Sequence, residues 1–269
     1  MKANVYDLDG KVVKEIELPS EIFNEEYRPD LIKKAVISQQ SNSYQKKGIS
    51  PYSNRNNTAE YIGIRKANHA NISINTGHAR LPRLRNRRVL MAGRVMGVSQ
   101  AVGGPRAHPP KVTKILVKKI NTKERTKAIL SAISATTDPK LVSTRGHILD
   151  NKITLPVIFD NKIEALNKTK DVLTTLERMG LDKDILKAKD KKSVRAGKGK
   201  YRGRRYKKRK SLLIVLADSK NNKAFTNLEG VNVISARKLS IKDLAPGTHA
   251  GRLTVFSEGA ISELKKRFE

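Results

Sequence analysis

The chain lacks cysteine and tryptophan, and its acidic residues are few beside its basic ones. Without cysteine, neither disulfide bonds nor thiolate metal sites can form. Lys and Arg number 56 against 25 Asp and Glu, for a formal net charge of +31. No apolar run is long enough to span a bilayer, and the first ten residues lack the charged-then-apolar pattern of a secretory signal. We therefore expect a cytoplasmic protein with no membrane partner, whose excess positive charge binds a nucleic acid.

Two stretches of the chain are almost free of acidic residues. Residues 38–115 hold fourteen basic residues and the single acid Glu60, and the run from Lys191 to Lys210 holds twelve basic residues and no acid. Like charges packed this closely repel one another, so we expect the second run to stay extended or disordered until a polyanion compensates it. Solubility alone does not require acids to be excluded. Both stretches are therefore predicted to bind the phosphate backbone of a nucleic acid.

The rest of the sequence alternates strand and helix patterns. Strands are predicted over Ala3–Tyr6, Lys11–Glu17, Leu155–Phe159, Leu212–Ala217, Val231–Ile234 and Leu253–Phe256. Asp9-Gly10 is a turn signal between the first two strands. Pro29 suits the first turn of a helix, Thr122 and Ser257 are candidate helix N-caps, and Gly180 is a helix terminator. The run from Leu212 is apolar at every position, as expected of a strand in a parallel sheet that is covered on both faces.

These patterns predict an α/β fold: one globular domain with a mainly parallel sheet flanked by helices, interrupted by a long internal extended loop and a second basic insertion. The predicted segments are residues 1–40 (globular domain, first part), 41–114 (extended loop), 115–190 (globular domain, continued), 191–210 (basic insertion) and 211–269 (globular domain, last part). An irregular loop of this length is uncommon unless it is functional or disordered. Its skewed composition favours a functional loop.

Basic side chains within the two acid-poor stretches are the candidate RNA contacts, since the guanidinium fork suits phosphate oxygens and stacks on bases. They are Arg80, Arg83, Arg85, Arg87, Arg88, Arg94, Arg106, Lys111, Arg195, Lys198, Lys200, Arg202, Arg204, Arg205, Lys207, Lys208, Arg209 and Lys210. Tyrosine is concentrated in or beside these stretches, and an exposed tyrosine ring can stack on an unpaired base. The candidates for stacking are Tyr52, Tyr61, Tyr201 and Tyr206.

Enzyme patterns are weak in this sequence. The five histidines form no HExxH pair, and GKGKYRG lacks the spacing of a Walker loop. No cofactor, metal site or catalytic residue is predicted. A nucleic-acid-modifying or nucleotide-binding α/β enzyme stays open as the alternative, with polar groups at the strand ends around Asp160, Asp218 and Ser257. An RNA chaperone or translational regulator is a third possibility that RNA affinity alone does not separate from a structural role.

Three segments resemble a known family. The stretch from Gly77 to Lys111, with LPRLRNRR and GGPRAHPPK, is similar to the L4 family of the large ribosomal subunit in its archaeal and eukaryotic branch. RAGKGKYRGRRYKKRKSLLIV and KTKDVLTTLERMGLDKDIL resemble two further regions of the same family. The resemblance covers essentially the whole chain. The sequence lacks the long lysine-rich C-terminal tail of the eukaryotic members and in this respect resembles the archaeal ones.

The resemblance implies a specific role. Members of the family are structural, non-enzymatic ribosomal proteins that bind several domains of the large-subunit ribosomal RNA, support assembly and contact neighbouring ribosomal proteins. Their long loop penetrates the RNA, and its tip forms part of the wall of the polypeptide exit tunnel, where it meets the nascent polypeptide. By position, the candidates nearest the tunnel are Arg65, Lys66, Asn68, His69, Asn71 and His78.

Overall fold

The computed structural model describes residues 2–61, 77–85, 90–149, 153–218 and 223–269. The chain divides into two compact units. Residues 1–43 together with 117–269 form one, called here the globular unit, and residues 44–116 form the other, called the loop unit. The predicted extended loop, residues 41–114, overlaps most of the loop unit; its boundaries, like those of the other predicted segments, stay a prediction.

Ten short strands lie in the described residues. In chain order they are β1 (Lys2–Tyr6), β2 (Val12–Glu17), β3 (Ala59–Glu60), β4 (Arg83–Leu84), β5 (Val157–Phe159), β6 (Ser193–Val194), β7 (Tyr206–Lys207), β8 (Leu213–Leu216), β9 (Asn232–Ser235) and β10 (Thr254–Ser257). Six of them form one sheet in the order β2-β1-β5-β10-β8-β9, and β3-β4 and β6-β7 are separate pairs. Within the large sheet β1 and β2 are antiparallel, and every other neighbouring pair is parallel. The predicted α/β fold with a mainly parallel sheet is confirmed.

Helices connect the strands of the globular unit. Over the described residues they are α1 (Ser20–Phe23), α2 (Pro29–Ser41), α3 (Thr122–Ser134), α4 (Pro139–Thr144), α5 (Thr169–Arg178), α6 (Asp182–Asp190), α7 (Lys223–Thr226), α8 (Ile241–Leu244) and α9 (Glu258–Phe268). Proline begins α2 and α4, where its missing N–H costs no helical hydrogen bond. The Ser257 hydroxyl accepts from the Ala260 N–H at 3.1 Å and so caps α9 as predicted. Gly180 follows α5 with a φ of 70°, a conformation that glycine adopts without strain.

Two hydrophobic clusters cover the two faces of the sheet. Leu213 and Val215 of β8 belong to the cluster that includes α2, α3 and α9, whereas Ile214 and Leu216 belong to the cluster that includes α5 and α6. Successive side chains of a strand point to opposite faces. Because helices cover both faces, each residue of β8 is buried, and this accounts for the uninterrupted apolar run in the sequence.

Each predicted strand begins one or two residues away from its observed start, and the predicted N-cap of α3 was also wrong. Asn121, not Thr122, occupies the N-cap position of α3, and Thr122 is the first helical residue; neither provides a side-chain cap. The strand predicted to begin at Leu155 begins at Val157. Pro156 has no backbone N–H to contribute to the ladder, so regular pairing starts after it.

Candidate nucleic-acid interface

The loop unit has no hydrophobic core among its described residues. Neither hydrophobic cluster includes a residue between 44 and 116, and large apolar side chains such as Leu90, Val102 and Ile115 lie exposed. Its regular structure is the two-residue pairing of β3 with β4 and a bridge between Arg83 and Val95. A segment that buries so little apolar surface cannot offset its own conformational entropy. It needs a second surface to stabilise its conformation.

Two of the predicted contact residues in the loop unit are engaged within the unit itself. The Arg83 guanidinium donates to the carbonyl oxygens of Gly93 at 3.0 Å and Ala79 at 3.1 Å. Arg85 Nη2 lies 2.8 Å from Glu60 Oε2, in a pair that is exposed on both sides. Arg83 therefore holds the local turn, and Arg85 neutralises the acid of this stretch. Each guanidinium retains further N–H groups for a second partner.

Four other predicted contact residues of the loop unit are exposed and have no side-chain partner among the described residues. They are Arg80, Arg94, Arg106 and Lys111. Two more, Arg87 and Arg88, lie outside the described residues. Unpaired exposed cations remain fully hydrated and available, which is the state expected of groups that neutralise phosphates.

Residues 191–210, called here the basic hairpin, are folded where we expected an extended or disordered chain. Ser193 pairs with Lys207 and Val194 with Tyr206 in an antiparallel ladder. The Arg195 N–H extends the ladder by donating to the Arg205 carbonyl at 2.7 Å. The expectation was wrong because it considered charge repulsion alone. A one-turn 3₁₀ segment, Lys198–Arg202, reverses the chain, and the flanking glycines at 197 and 203 have φ values of 78° and 75°.

Charge is distributed unevenly along the basic hairpin. At its base the Glu229 carboxylate lies 2.8 Å from Lys192 Nζ and 3.3 Å from Lys208 Nζ. The hydrogen bond from Lys192 is the main cause that holds the pKa of Glu229 below its usual value. Beyond this base, seven exposed cations have no acidic partner in the described part of the chain: Arg195, Lys198, Lys200, Arg202, Arg204, Arg205 and Lys207. Because the acid is confined to the base, the tip presents uncompensated positive charge.

The tyrosine candidates differ in their surroundings. Tyr52 and Tyr201 are 75 % and 82 % exposed, and Tyr61 and Tyr206 are about half exposed. Lys200 Nζ lies 5.3 Å from the ring centre of Tyr201. Two cations, Lys192 and Arg205, lie 5.2 and 5.7 Å from the ring of Tyr206. Cation–π contacts of this kind compete with a base for the ring face. Tyr52 has high exposure and no such contact among the described residues, and Tyr201 has the larger exposed fraction but shares one ring face with Lys200.

Arg252 anchors the chain where it leaves the basic hairpin. Its side chain is fully buried and donates to the carbonyl oxygens of Ser211 and Leu212 at 2.7 and 2.9 Å, to that of Asp243 at 2.9 Å, and to Asn232 Oδ1 at 3.0 Å. Burial lowers its pKa to about 10, which leaves it cationic at neutral pH. The guanidinium thus joins the entry to β8, the entry to β9 and α8. These hydrogen bonds fix the position of the chain directly after the basic hairpin.

The side chains of Arg209 and Lys210, at the end of the basic hairpin, contact residues that precede or follow the hairpin in the globular unit. Arg209 Nη2 donates to the Gly146 carbonyl, and Lys210 Nζ donates to Asn232 Oδ1 at 3.0 Å. Both line a cavity together with Arg145 and His147. The two residues were predicted as phosphate contacts on the sequence alone. Their place beside this cavity was not predicted.

Sequence reasoning also missed a buried polar cluster beneath that cavity. Asp184 Oδ2 accepts hydrogen bonds from His147 Nδ1 at 2.9 Å and from the Ser211 hydroxyl at 2.7 Å. Burial alone would raise the pKa of Asp184, but the hydrogen bond and charge of His147 outweigh burial and lower it overall. These residues are 27 to 37 positions apart in sequence, and no short-range pattern links them. The one local feature that could have indicated the cluster is the sequence Arg145-Gly146-His147, which places two basic side chains on either side of a glycine.

Among the exit-tunnel candidates, His78 is exposed in the loop unit. The other five, Arg65, Lys66, Asn68, His69 and Asn71, lie outside the described residues.

The strand ends do not form a catalytic site in the described chain. Asp160 Oδ1 accepts from the Asn161 N–H at 2.7 Å, and Ser257 caps α9 while contacting Glu164 Oε1 at 2.5 Å. Glu164 Oε1 also accepts from the Ala217 N–H at 2.8 Å. These polar groups therefore complete backbone hydrogen bonds, at the starts of the elements after Asp160 and Ser257 and at the end of β8. The described residues contain no group of three or more side chains suited to a metal ion, and none of their helices is long and apolar enough to cross a membrane.

Comparisons with known proteins agree over nearly the whole length. The model of the ribosomal protein L4/L1 family matches residues 16–267. The chain is 48 % identical over 270 residues to a protein of Methanocaldococcus jannaschii, covering all of both chains. It is 46 % identical over 266 residues to one of Methanoculleus marisnigri, covering 99 % of each, and 45 % identical over 269 residues to one of Methanococcus maripaludis, covering all of both. Each relative carries the name large ribosomal subunit protein uL4.

Proposed function

This chain belongs to the ribosomal protein L4/L1 family, and on that premise we propose that its loop unit and its basic hairpin are the two surfaces that bind large-subunit ribosomal RNA. The protein is a structural constituent of the large ribosomal subunit, located on the cytoplasmic ribosome, and it is not an enzyme. The archaeal relatives agree with the branch predicted from the sequence. Ribosomal RNA and other ribosomal proteins are therefore its partners.

The enzyme alternative is not favoured. The family is structural, and the polar side chains at the strand ends, Asp160 and Ser257, serve backbone N–H groups. A carboxylate and a hydroxyl that act as caps are held by those bonds and are not free to transfer protons to a substrate.

One observation carries the proposal for the basic hairpin. Its tip concentrates exposed cations, while the acid of its surroundings, Glu229, contacts only the base. Such a surface attracts a polyanion and releases counterions on binding. Tyr201 at the tip is largely exposed and offers its ring to an unpaired base. Most contacts from this surface go to phosphates, so they position the RNA without reading its sequence.

The loop unit supports the same role by a different route. Its exposed apolar side chains and unpaired arginines lie together in a segment without a core. Ribosomal RNA supplies both missing partners, since phosphates neutralise the arginines and base or ribose faces cover the apolar groups. We assign Arg80, Arg94, Arg106 and Lys111 to phosphate contacts. Arg83 and Arg85 act mainly within the unit and contact RNA through their remaining N–H groups.

The tunnel role is the finer part of the proposal. By resemblance, the segment around Arg65 to His78 lines the polypeptide exit tunnel and meets the nascent chain. His78 is exposed, as this role requires.

Photo-crosslinking within assembled large subunits tests these assignments. Photoreactive residues introduced at Lys200 in the basic hairpin and at Arg106 in the loop unit are expected to form adducts with ribosomal RNA. A residue at exposed Lys170 on α5 is the control and is expected to remain uncrosslinked to RNA. A photoreactive group at His78 in stalled, translating ribosomes is expected to capture the nascent chain. Absence of RNA adducts at both Lys200 and Arg106 would contradict the proposal, and absence of nascent-chain adducts at His78 would contradict the tunnel assignment alone.

A further inference from the structure

The globular unit contains a cavity that the two proposed surfaces do not account for. Its volume is about 700 Å³, and it lies beside α4, between the end of the basic hairpin and the segment that follows α8. Ligand sites in proteins commonly enclose roughly 300–1,000 Å³. The polar part of the lining consists of Tyr27, Thr144, Arg145, His147, Arg209, Lys210 and His249.

Three cations line this cavity without a carboxylate in contact with any of them in the described chain. Arg145 donates to the carbonyl oxygens of His249 and Pro246, the latter at 3.0 Å. Arg209 donates to a carbonyl and Lys210 to a side-chain amide. All these acceptors are neutral. Burial, together with the nearby positive charge of Arg209, lowers the pKa of Arg145 to about 10. The cavity wall is therefore short of negative charge.

His147 adds a buried polar atom that lacks a partner. Its side chain is 1 % exposed, and its Nδ1 lies 2.9 Å from Asp184 Oδ2. An ionised carboxylate only accepts hydrogen bonds, so Nδ1 carries the hydrogen. The other ring nitrogen, Nε2, has no hydrogen-bond partner among the described residues. A buried polar group left unpaired is destabilising, and a polar ligand that enters the cavity could supply the missing partner.

Apolar groups form the rest of the wall. Leu141, Pro246 and Ala250 line the cavity together with the half-exposed ring of Tyr27. A phosphate ion alone would leave this apolar surface and most of the volume unfilled. A nucleotide fills both, because its phosphate matches the cations while its planar base matches the ring and the aliphatic groups.

We propose that this cavity binds one nucleotide of an RNA strand, with its phosphate on Arg145, Arg209 and Lys210 and its base against Tyr27 and Leu141. The inference rests on the proposed function, since Arg209 and Lys210 end the basic hairpin along which the strand would run. His147 Nε2 contacts a polar group of the same nucleotide. An RNA strand is favoured over an acidic peptide because Arg209 and Lys210 directly follow the basic hairpin in the chain and because the cavity has an aromatic wall.

Binding measurements on the full chain test the proposal. Fluorescence anisotropy with a short single-stranded oligoribonucleotide would compare wild type with Tyr27→Ala and Lys210→Gln. The Tyr27 side chain makes no hydrogen bond in the described structure, so its loss should leave the fold intact; equal thermal midpoints would check this. Loss of base stacking or of a phosphate contact should weaken binding at least about fivefold. Lys170→Gln removes the same charge from α5 and should leave affinity unchanged.

Three results would overturn the assignment. Unchanged RNA affinity in both cavity variants would show that the cavity does not bind the RNA. The proposed function would still stand if variants at the hairpin tip weakened binding. If tip variants were also neutral, the proposed function would fail as well. Adenosine monophosphate that binds and is not displaced by the oligoribonucleotide would identify a free nucleotide as the ligand. A photoreactive residue at position 27 in assembled subunits should crosslink to RNA, and an adduct with an acidic peptide would assign the cavity to a protein partner.

Discussion

Removing charge from the tip of the basic hairpin should reduce the salt dependence of RNA binding by a calculable amount. Lys198, Lys200, Arg202 and Arg204 are exposed and have no acidic partner among the described residues, so each is free to neutralise a phosphate. Each such contact contributes about 0.7–0.9 to the slope of log K against log salt concentration. Replacing all four by glutamine should therefore lower the slope by about 3.

The assay is filter binding or anisotropy with a large-subunit ribosomal RNA fragment over a fourfold range of salt concentration. Across that range the wild type should lose about 60-fold more affinity than the tip variant, because a slope difference of about 3 acts on a fourfold change. The matched control replaces Lys33, Lys140, Lys170 and Lys238 by glutamine. These lysines are exposed on the globular unit, and the control removes the same net charge.

A slope that falls by less than about 1 in the tip variant would refute the assignment of the tip to phosphate contacts. An equal fall in the control variant would refute it too, because the effect would then come from net charge and not from the hairpin surface. If the fourfold tip variant shows no cooperative thermal unfolding, the four single substitutions would be measured instead, each expected to lower the slope by about 0.7–0.9.

Three further outcomes are expected. Arg252→Met should lower the free energy of unfolding by roughly 3 kcal/mol or more in urea denaturation, because it removes charged hydrogen bonds to the carbonyl oxygens of Ser211, Leu212 and Asp243. The control Arg125→Met, at an exposed helix position, should cost less than about 0.5 kcal/mol. Equal effects of the two substitutions would contradict the anchoring role of Arg252. Asp184→Asn should lower the free energy of unfolding at neutral pH. Since the folded-state pKa of Asp184 lies below its usual value of 3.8, this loss of stability relative to wild type should persist down to about pH 4 and shrink as the pH falls further. A loss that grows in acid would show that the carboxylate is not the stabilising form. In hydrogen exchange on the free protein, the amides of residues 44–61 and 90–116 should exchange much faster than those of β8 and β10, and their exchange should slow when an RNA fragment binds. If these amides were as protected as the sheet in the absence of RNA, the loop unit would not depend on its partner.

Short-range patterns predicted most of the globular unit. The Asp9-Gly10 turn, the proline that begins α2, the Ser257 cap and the continuous apolar run of β8 each depend on a few neighbouring residues, and each is confirmed. Element boundaries were less secure. The observed N-cap of α3, Asn121, lies one residue before the predicted one, Thr122, because both residue types are favourable at this position.

The basic hairpin shows where charge counting is insufficient. Repulsion among its cations predicted an extended chain, yet two glycines with positive φ and the contact of Glu229 with Lys192 and Lys208 permit a folded reversal. Glu229 lies 37 residues after Lys192. No local pattern of the sequence brings that acid to the base of the hairpin.

Composition and local spacing alone determined that this chain has an α/β core with two acid-poor basic segments that favour a nucleic-acid partner, and the resemblance of three sequence segments indicated the family. Such features follow from interactions between near neighbours in sequence: turn preferences, alternating burial and like-charge repulsion. Only the tertiary structure decided which cations stay unpaired at the hairpin tip, that Arg252 is a buried anchor, and that Arg145, His147 and Lys210 surround one cavity. Those facts depend on residues far apart in the chain that the folding of the sheet and helices brings together, and no local pattern encodes them.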